Sequence, residues 1–163
     1  MNIRRISSPT TYCAFMTTTQ LRPSDRLRAE SDAINTLYRA FNEKNPDLVD
    51  SVLAADWEDI PMAPGQPAGP EGIKAIIRML GEALPDINIT VHDMVQESGK
   101  IAVRAAITGT HEGTLFGIAA TGKRVHVSMQ EFHTFKDGLV AVTWHIEDWF
   151  GMFQQMGQSP PKG

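Results

Sequence analysis

Apolar and polar positions change period once along the chain. Between Ser24 and Asn42, Leu27, Ile34, Leu37, Tyr38 and Phe41 recur at three- and four-residue spacing, so one stripe of a helix faces a core, with Ser24 or Asp25 as its cap. Asn45-Pro46 ends it, and Pro46 opens a short second helix with Leu48, Val49, Val52 and Leu53 as its apolar positions. Trp57 to Ile60 is extended. Pro61 to Pro70 holds four prolines and two glycines, too stiff and too poor in donors for a regular element. Glu71 to Leu84 reads as a third helix that buries Ile73, Ile76, Ile77, Leu80 and Leu84, and Pro85 stops it.

From Ile87 the period is two. Ile87, Ile89 and Val91 alternate with Asn88, Thr90 and His92, giving a half-buried strand. Ser98-Gly99-Lys100 turns into a second strand, Ile101 to Thr110. A glycine-rich segment, Gly113 to Gly122, leads to a third, Arg124 to Phe135. Lys136-Asp137-Gly138 turns into a fourth, Leu139 to Glu147, after which Asp148 caps a last helical turn through Met156. Three helices followed by an antiparallel meander is an α+β pattern. Helices laid over one face of a bent sheet make a cone with a pocket inside, three N-terminal helices packed on a curved, mainly antiparallel sheet of four to six strands.

Composition narrows the function. The chain has 163 residues, 42% hydrophobic and 21% charged, which is enough for one ordinary core. A net charge of −4 argues against a nucleic-acid partner. No apolar run approaches the roughly 20 residues of a membrane span, so a cytoplasmic location is expected. Cys13 is the single cysteine, which leaves no disulfide framework and no cysteine zinc site. Residues 1–23 read as a flexible arm in which Arg4 and Arg5 precede too short an apolar stretch for a signal peptide, and Met16 is a possible alternative start. Residues 158–163 read as a tail, leaving 24–157 as the folded domain.

The hairpin register decides which side chains share a pocket. A three-residue loop, Lys136-Asp137-Gly138, pairs Glu131 with Thr143 and Met129 with His145, and puts Val127, Met129, Glu131, His133 and His145 on the inner face. A two-residue loop pairs Glu131 with Trp144 and turns His145 outward. The first is favoured because it sends Val127, Met129 and Phe135 inward and His126, Ser128, Gln130 and Thr134 outward. Glu131 and His145 then sit diagonally, about 7 Å apart at Cβ. A carboxylate beside an imidazole fixes the ring tautomer and raises its pKa, which suits a base working near neutral pH. The competing reading is a structural hydrogen bond. His133 falls toward the rim and Asp59 at the pocket mouth, while Trp57, Tyr38, Phe41, Met129 and Val127 supply an apolar lining for a small-molecule substrate. His126, His133 and His145 do not share a face at ligand spacing, so no metal is expected. His111 orders a loop. Phe132, Trp144 and Ile146 face outward, as they would if another subunit covered them.

Gly109-Thr110-His111-Glu112-Gly113 and Gly117-Ile118-Ala119-Ala120-Thr121-Gly122-Lys123-Arg124-Val125 resemble the SnoaL-like polyketide cyclase (ester cyclase) family of the nuclear transport factor 2-like superfamily. Leu84-Pro85-Asp86, Asp137-Gly138 and Gln154-Gln155-Met156-Gly157 extend the resemblance over 24–157. It implies a conical α+β barrel, no cofactor, assembly through the sheets into a homodimer or larger homo-oligomer, and an intramolecular aldol reaction driven by an acid/base side chain. The family's catalytic aspartate falls on His145, its histidine on the preceding strand on Glu131, and an asparagine at the mouth on Asp59. The chain departs at all three, so three functions remain open: a lyase, isomerase or cyclase using His145 and Glu131, a module that holds a hydrophobic ligand, and a hydrolase or dehydratase.

Overall fold

The computed structural model describes residues 22–159, so the expected arm falls almost wholly, and the tail in part, outside the described residues. α1 (Pro23–Asn42) starts on a proline with Arg22 as its N-cap and no side-chain cap, so Ser24 and Asp25 lie inside it rather than before it. It buries Ile34, Leu37, Tyr38 and Phe41, each worth roughly 1.5–3 kcal/mol as an upper bound. A 3₁₀ segment follows (Pro46–Ser51), capped by the Asn45 side chain accepting from the Asp47 N–H. Leu53–Ile60 is a full strand, β1. α2 (Pro70–Ala83) lies after the proline loop.

The meander is β2 (Asn88–Glu97), β3 (Lys100–Thr110), β4 (Arg124–Lys136) and β5 (Leu139–Glu147). Strand order in the five-stranded sheet is β1-β5-β4-β3-β2, antiparallel except for β1, which runs parallel to β5. That parallel pairing brings a residue from before the proline loop beside the last strand. α3 (Trp149–Met156) closes the chain, with the Asp148 carboxylate accepting from the Gly151 N–H as the sequence implied. Among the described residues no helix is long and apolar enough to cross a membrane.

The β4–β5 hairpin corrects the expected register. Its loop has two residues, Asp137 and Gly138, both at positive φ (53° and 84°), the type I′ geometry that matches strand twist. Phe135 pairs with Val140, but Thr134 then pairs with Val142, leaving Ala141 as an extra residue in a bulge. The bulge restores the parity that a three-residue loop would have given, one pair further on. His133 therefore faces Thr143, and Glu131 directly faces His145. Burial along β4 alternates cleanly from Val125 to His133, while Phe132 is exposed.

Candidate functional site

α1, α2, the proline loop and the concave sheet face enclose one large cavity of about 840 Å³. Tyr38, Phe41, Trp57 and Met129 line it, as expected, and so do Asp59, Glu131 and His145. Val127 does not; it is fully buried in the core beneath the cavity. Phe116 and Trp149 add aromatic wall that the sequence did not reveal.

Two polar clusters occupy this wall. In the outer one, His145 lies between two carboxylates. Its Nδ1 is 2.8 Å from Glu147 Oε1, and its Nε2 is 3.2 Å from Asp59 Oδ1 and 3.0 Å from the Pro61 carbonyl. Hydrogen bonds to Asp59 and then to Glu147 outweigh partial burial and push the His145 pKa up to about 10. The ring is an imidazolium at neutral pH, with both nitrogens donating. This differs from the expected base titrating near neutrality, and the cause is two carboxylates where one was foreseen. Neither is Glu131.

Each end of the row is fixed in turn. Gln66 Nε2 donates to Asp59 Oδ2 at 2.7 Å, and Trp149 Nε1 donates to Glu147 Oε2 at 3.2 Å. Glu147 was legible in principle, since Thr143, His145 and Glu147 alternate at period two. Gln66 gives no sequence signal, because its role depends on how an irregular loop folds.

Glu131 turns to the inner cluster instead. Its Oε2 accepts from Tyr38 Oη at 2.5 Å and lies 3.2 Å from His133 Nε2. His133 is buried, behind the cavity wall rather than on the expected rim, and its Nδ1 is 3.0 Å from Thr143 Oγ1. Thr143 Oγ1 also accepts from Trp57 Nε1 at 3.1 Å. One assignment gives every proton an acceptor: Trp57 donates to Thr143, Thr143 to His133 Nδ1, and His133 Nε2–H to Glu131. Burial first, then the charge and hydrogen bond of Glu131, holds the Tyr38 pKa well above its ordinary value, so Tyr38 remains a donor. Among the described residues Glu131 Oε1 has no partner, and it is not a buried orphan. Glu131 lines the cavity, and Oε1 is the oxygen it has left to offer there.

His111 orders its loop, as expected: Thr121 bonds its Nδ1, while its backbone pairs with Gly122 and Lys123. That loop carries Phe116, whose ring meets Trp149 edge-on at 5.4 Å and Phe153 at 6.0 Å. Among the described residues no group of three or more His, Cys, Asp and Glu could hold a metal ion.

A family model for SnoaL-like polyketide cyclase matches residues 31–156. Among solved structures, TsrD from Streptomyces laurentii is 28% identical, with a TM-score of 0.75 over 85% of this chain and 98% of that one. IdmH from Streptomyces antibioticus is 29% identical, with a TM-score of 0.69 over 78% and 98%. A SnoaL-like polyketide cyclase from Agrobacterium tumefaciens strain C58 shares the fold at 18% identity and a TM-score of 0.66, over 78% and 98%. No curated protein matches the sequence.

Proposed function

The chain belongs to the SnoaL-like polyketide cyclase family, and on that premise we propose that it is a cofactor-independent acid/base enzyme acting on a small, partly apolar carbonyl compound, by aldol-type cyclisation or isomerisation. The observation that carries this is the unpartnered oxygen of Glu131 directly across from a protonated His145 on the wall of a largely apolar cavity. Glu131 is the base and His145 the acid, whereas the sequence suggested His145 as the base and Glu131 as the carboxylate that orients it.

Glu131 Oε1 takes a proton from the carbon α to a carbonyl, and Tyr38 and His133 hold the carboxylate by its other oxygen. The enolate carbon attacks a second carbonyl of the same molecule, forming a C–C bond while the C=O π pair moves onto oxygen. His145 gives that alkoxide its Nε2 proton, exchanging the bonds of Nε2 to Asp59 and the Pro61 carbonyl for one to the new oxygen. Passage of the proton from Glu131 to the imidazole resets the site. In isomerisation Glu131 returns the proton to a different carbon of the same ligand. Asp59 lines the cavity and holds His145 Nε2, so it acts on substrate through the ring.

The test is α-proton exchange of 2-tetralone, a flat enolisable ketone, in D₂O by NMR. Exchange should exceed the buffer rate and fall by about 10²-fold or more in Glu131→Gln. Binding of 2-tetralone without any exchange above buffer would overturn the proposal in favour of a ligand-holding role.

We further propose that a second copy of the chain covers the outer sheet face. Val95, Phe132, Trp144 and Ile146 are exposed there on the β2–β5 surface, a cluster of large apolar side chains of the kind that marks an interaction surface.

A further inference from the structure

The outer cluster does not end at its three charged groups. Beyond Asp59, Gln66 has a second bond: its Oε1 accepts from the Ala63 N–H at 2.8 Å, closing a turn within the proline loop. That loop is seated on α2, where a Cβ at Gly72 would meet the Pro67 carbonyl oxygen at 2.1 Å and the Gln66 side chain at 3.0 Å. Beyond Glu147, Trp149 is packed under Phe116, on the loop that His111 orders. The row Gln66–Asp59–His145–Glu147–Trp149 is thus strung between two loops that both line the cavity, one at each end. Each carboxylate has one oxygen for the imidazole and the other for a loop-borne or loop-packed donor, so neither can rotate without giving up a bond.

We propose that Gln66 and Trp149 are positioning residues: each fixes one carboxylate of the pair, and together they aim the His145 ring at the cavity. The assignment rests on His145 as the proton donor of the proposed reaction, but its geometry is testable without turnover. Gln66 acts through Asp59 on Nε2, and Trp149 acts through Glu147 on Nδ1. Loss of either donor frees one carboxylate and leaves the other in place.

The experiment is ring N–H NMR of the full chain with ¹⁵N-labelled histidine at pH 7. His145 should give two slowly exchanging N–H correlations, assigned by their absence in His145→Gln. Gln66→Met keeps the bulk and removes the amide; it should weaken the Nε2–H correlation, with solvent exchange about tenfold faster, and spare Nδ1–H. Trp149→Phe keeps a ring against Phe116 and removes the indole N–H; it should do the opposite. Unchanged correlations in both variants would overturn the proposal, and so would joint loss of both correlations in either folded variant. Each variant tests its own end, so one that failed to fold would leave the other decisive. A protein inert toward 2-tetralone would still give these signals, which separates this inference from the reaction itself.

Discussion

Glu131 and His145 face each other as a direct cross-strand pair, yet each commits its charge elsewhere, Glu131 to Tyr38 and His133, His145 to Asp59 and Glu147. Neighbouring positions on the wall therefore hold one group that retains a proton and one that can accept one. Had they bonded to each other, the acceptor would be quenched and the cavity would present no free base.

The His145 imidazolium makes stability depend on alkaline pH. Its folded pKa, about 10, lies above the ordinary 6.5. The stabilisation is therefore complete below the lower value and is lost as pH rises through the upper one. Urea unfolding of wild type and His145→Gln should show a stability difference that is constant below about pH 6 and shrinks between roughly pH 6.5 and 10. A difference that grew across this window would contradict the bonding described. Any α-proton exchange that needs the acid depends on the folded state alone and should decline only as pH approaches about 10.

Gly72 should be intolerant of a methyl group although it lies in a helix. Replacement by alanine ordinarily gains up to about 1 kcal/mol of helix propensity. Here the Cβ would lie 2.1 Å from a backbone oxygen of the proline loop, and such overpacking costs about 1–3 kcal/mol. The clash should win, so Gly72→Ala should lower the unfolding midpoint and weaken the His145 Nε2–H correlation. Gly81→Ala, in the same helix but facing the Lys44 stem, should show neither effect.

Charge should sort the ligands that enter. Among the described residues, Asp59, Glu131, Glu147 and His145 are the charged residues of the lining, which holds no lysine or arginine. In a largely apolar cavity, three carboxylates against one imidazolium disfavour an anion. Quenching of Trp57 and Trp149 should show 2-naphthylmethanol binding at least about tenfold more tightly than 2-naphthoate, with the gap narrowing in Glu131→Gln. Equal affinities would contradict the electrostatic reading.

The outer face gives a hydrodynamic prediction. Wild type should elute as a dimer or larger assembly in light-scattering chromatography at micromolar concentration, and Ile146→Lys should shift it toward monomer with an unchanged far-UV spectrum. Ile146 is exposed on β5, so the substitution leaves the core intact. A monomeric wild type would remove the proposed partner.

Much of the architecture was legible because it follows from local periodicity. The stripe from Ile34 to Phe41 and the alternation from Val125 to His133 each specify an element and its buried face. That basis, with a hairpin register assumed in addition, gathers Tyr38, Trp57, Glu131 and His145 into one pocket. What was not legible arises from contacts distant in sequence. The parallel pairing of β1 with β5 sets Asp59 level with Thr143 and within reach of His145, and no local pattern encodes a parallel neighbour. Gln66 reaches Asp59 only because the proline loop folds onto Gly72. The hairpin register was misread for a third reason: periodicity constrains the parity of a strand but not the number of residues used to achieve it.

Ala141 is surplus chain. Deleting it would let Thr134 and Val142 follow Phe135 and Val140 in an unbroken ladder, with Glu131 still opposite His145. Deleting Trp144 instead, below the bulge, would turn the imidazole to the far side of the sheet. The hairpin thus carries one residue of slack between its tip and its chemistry. A residue can be lost at Ala141 without changing which side chains face the cavity, so the wall does not depend on the length of the turn above it.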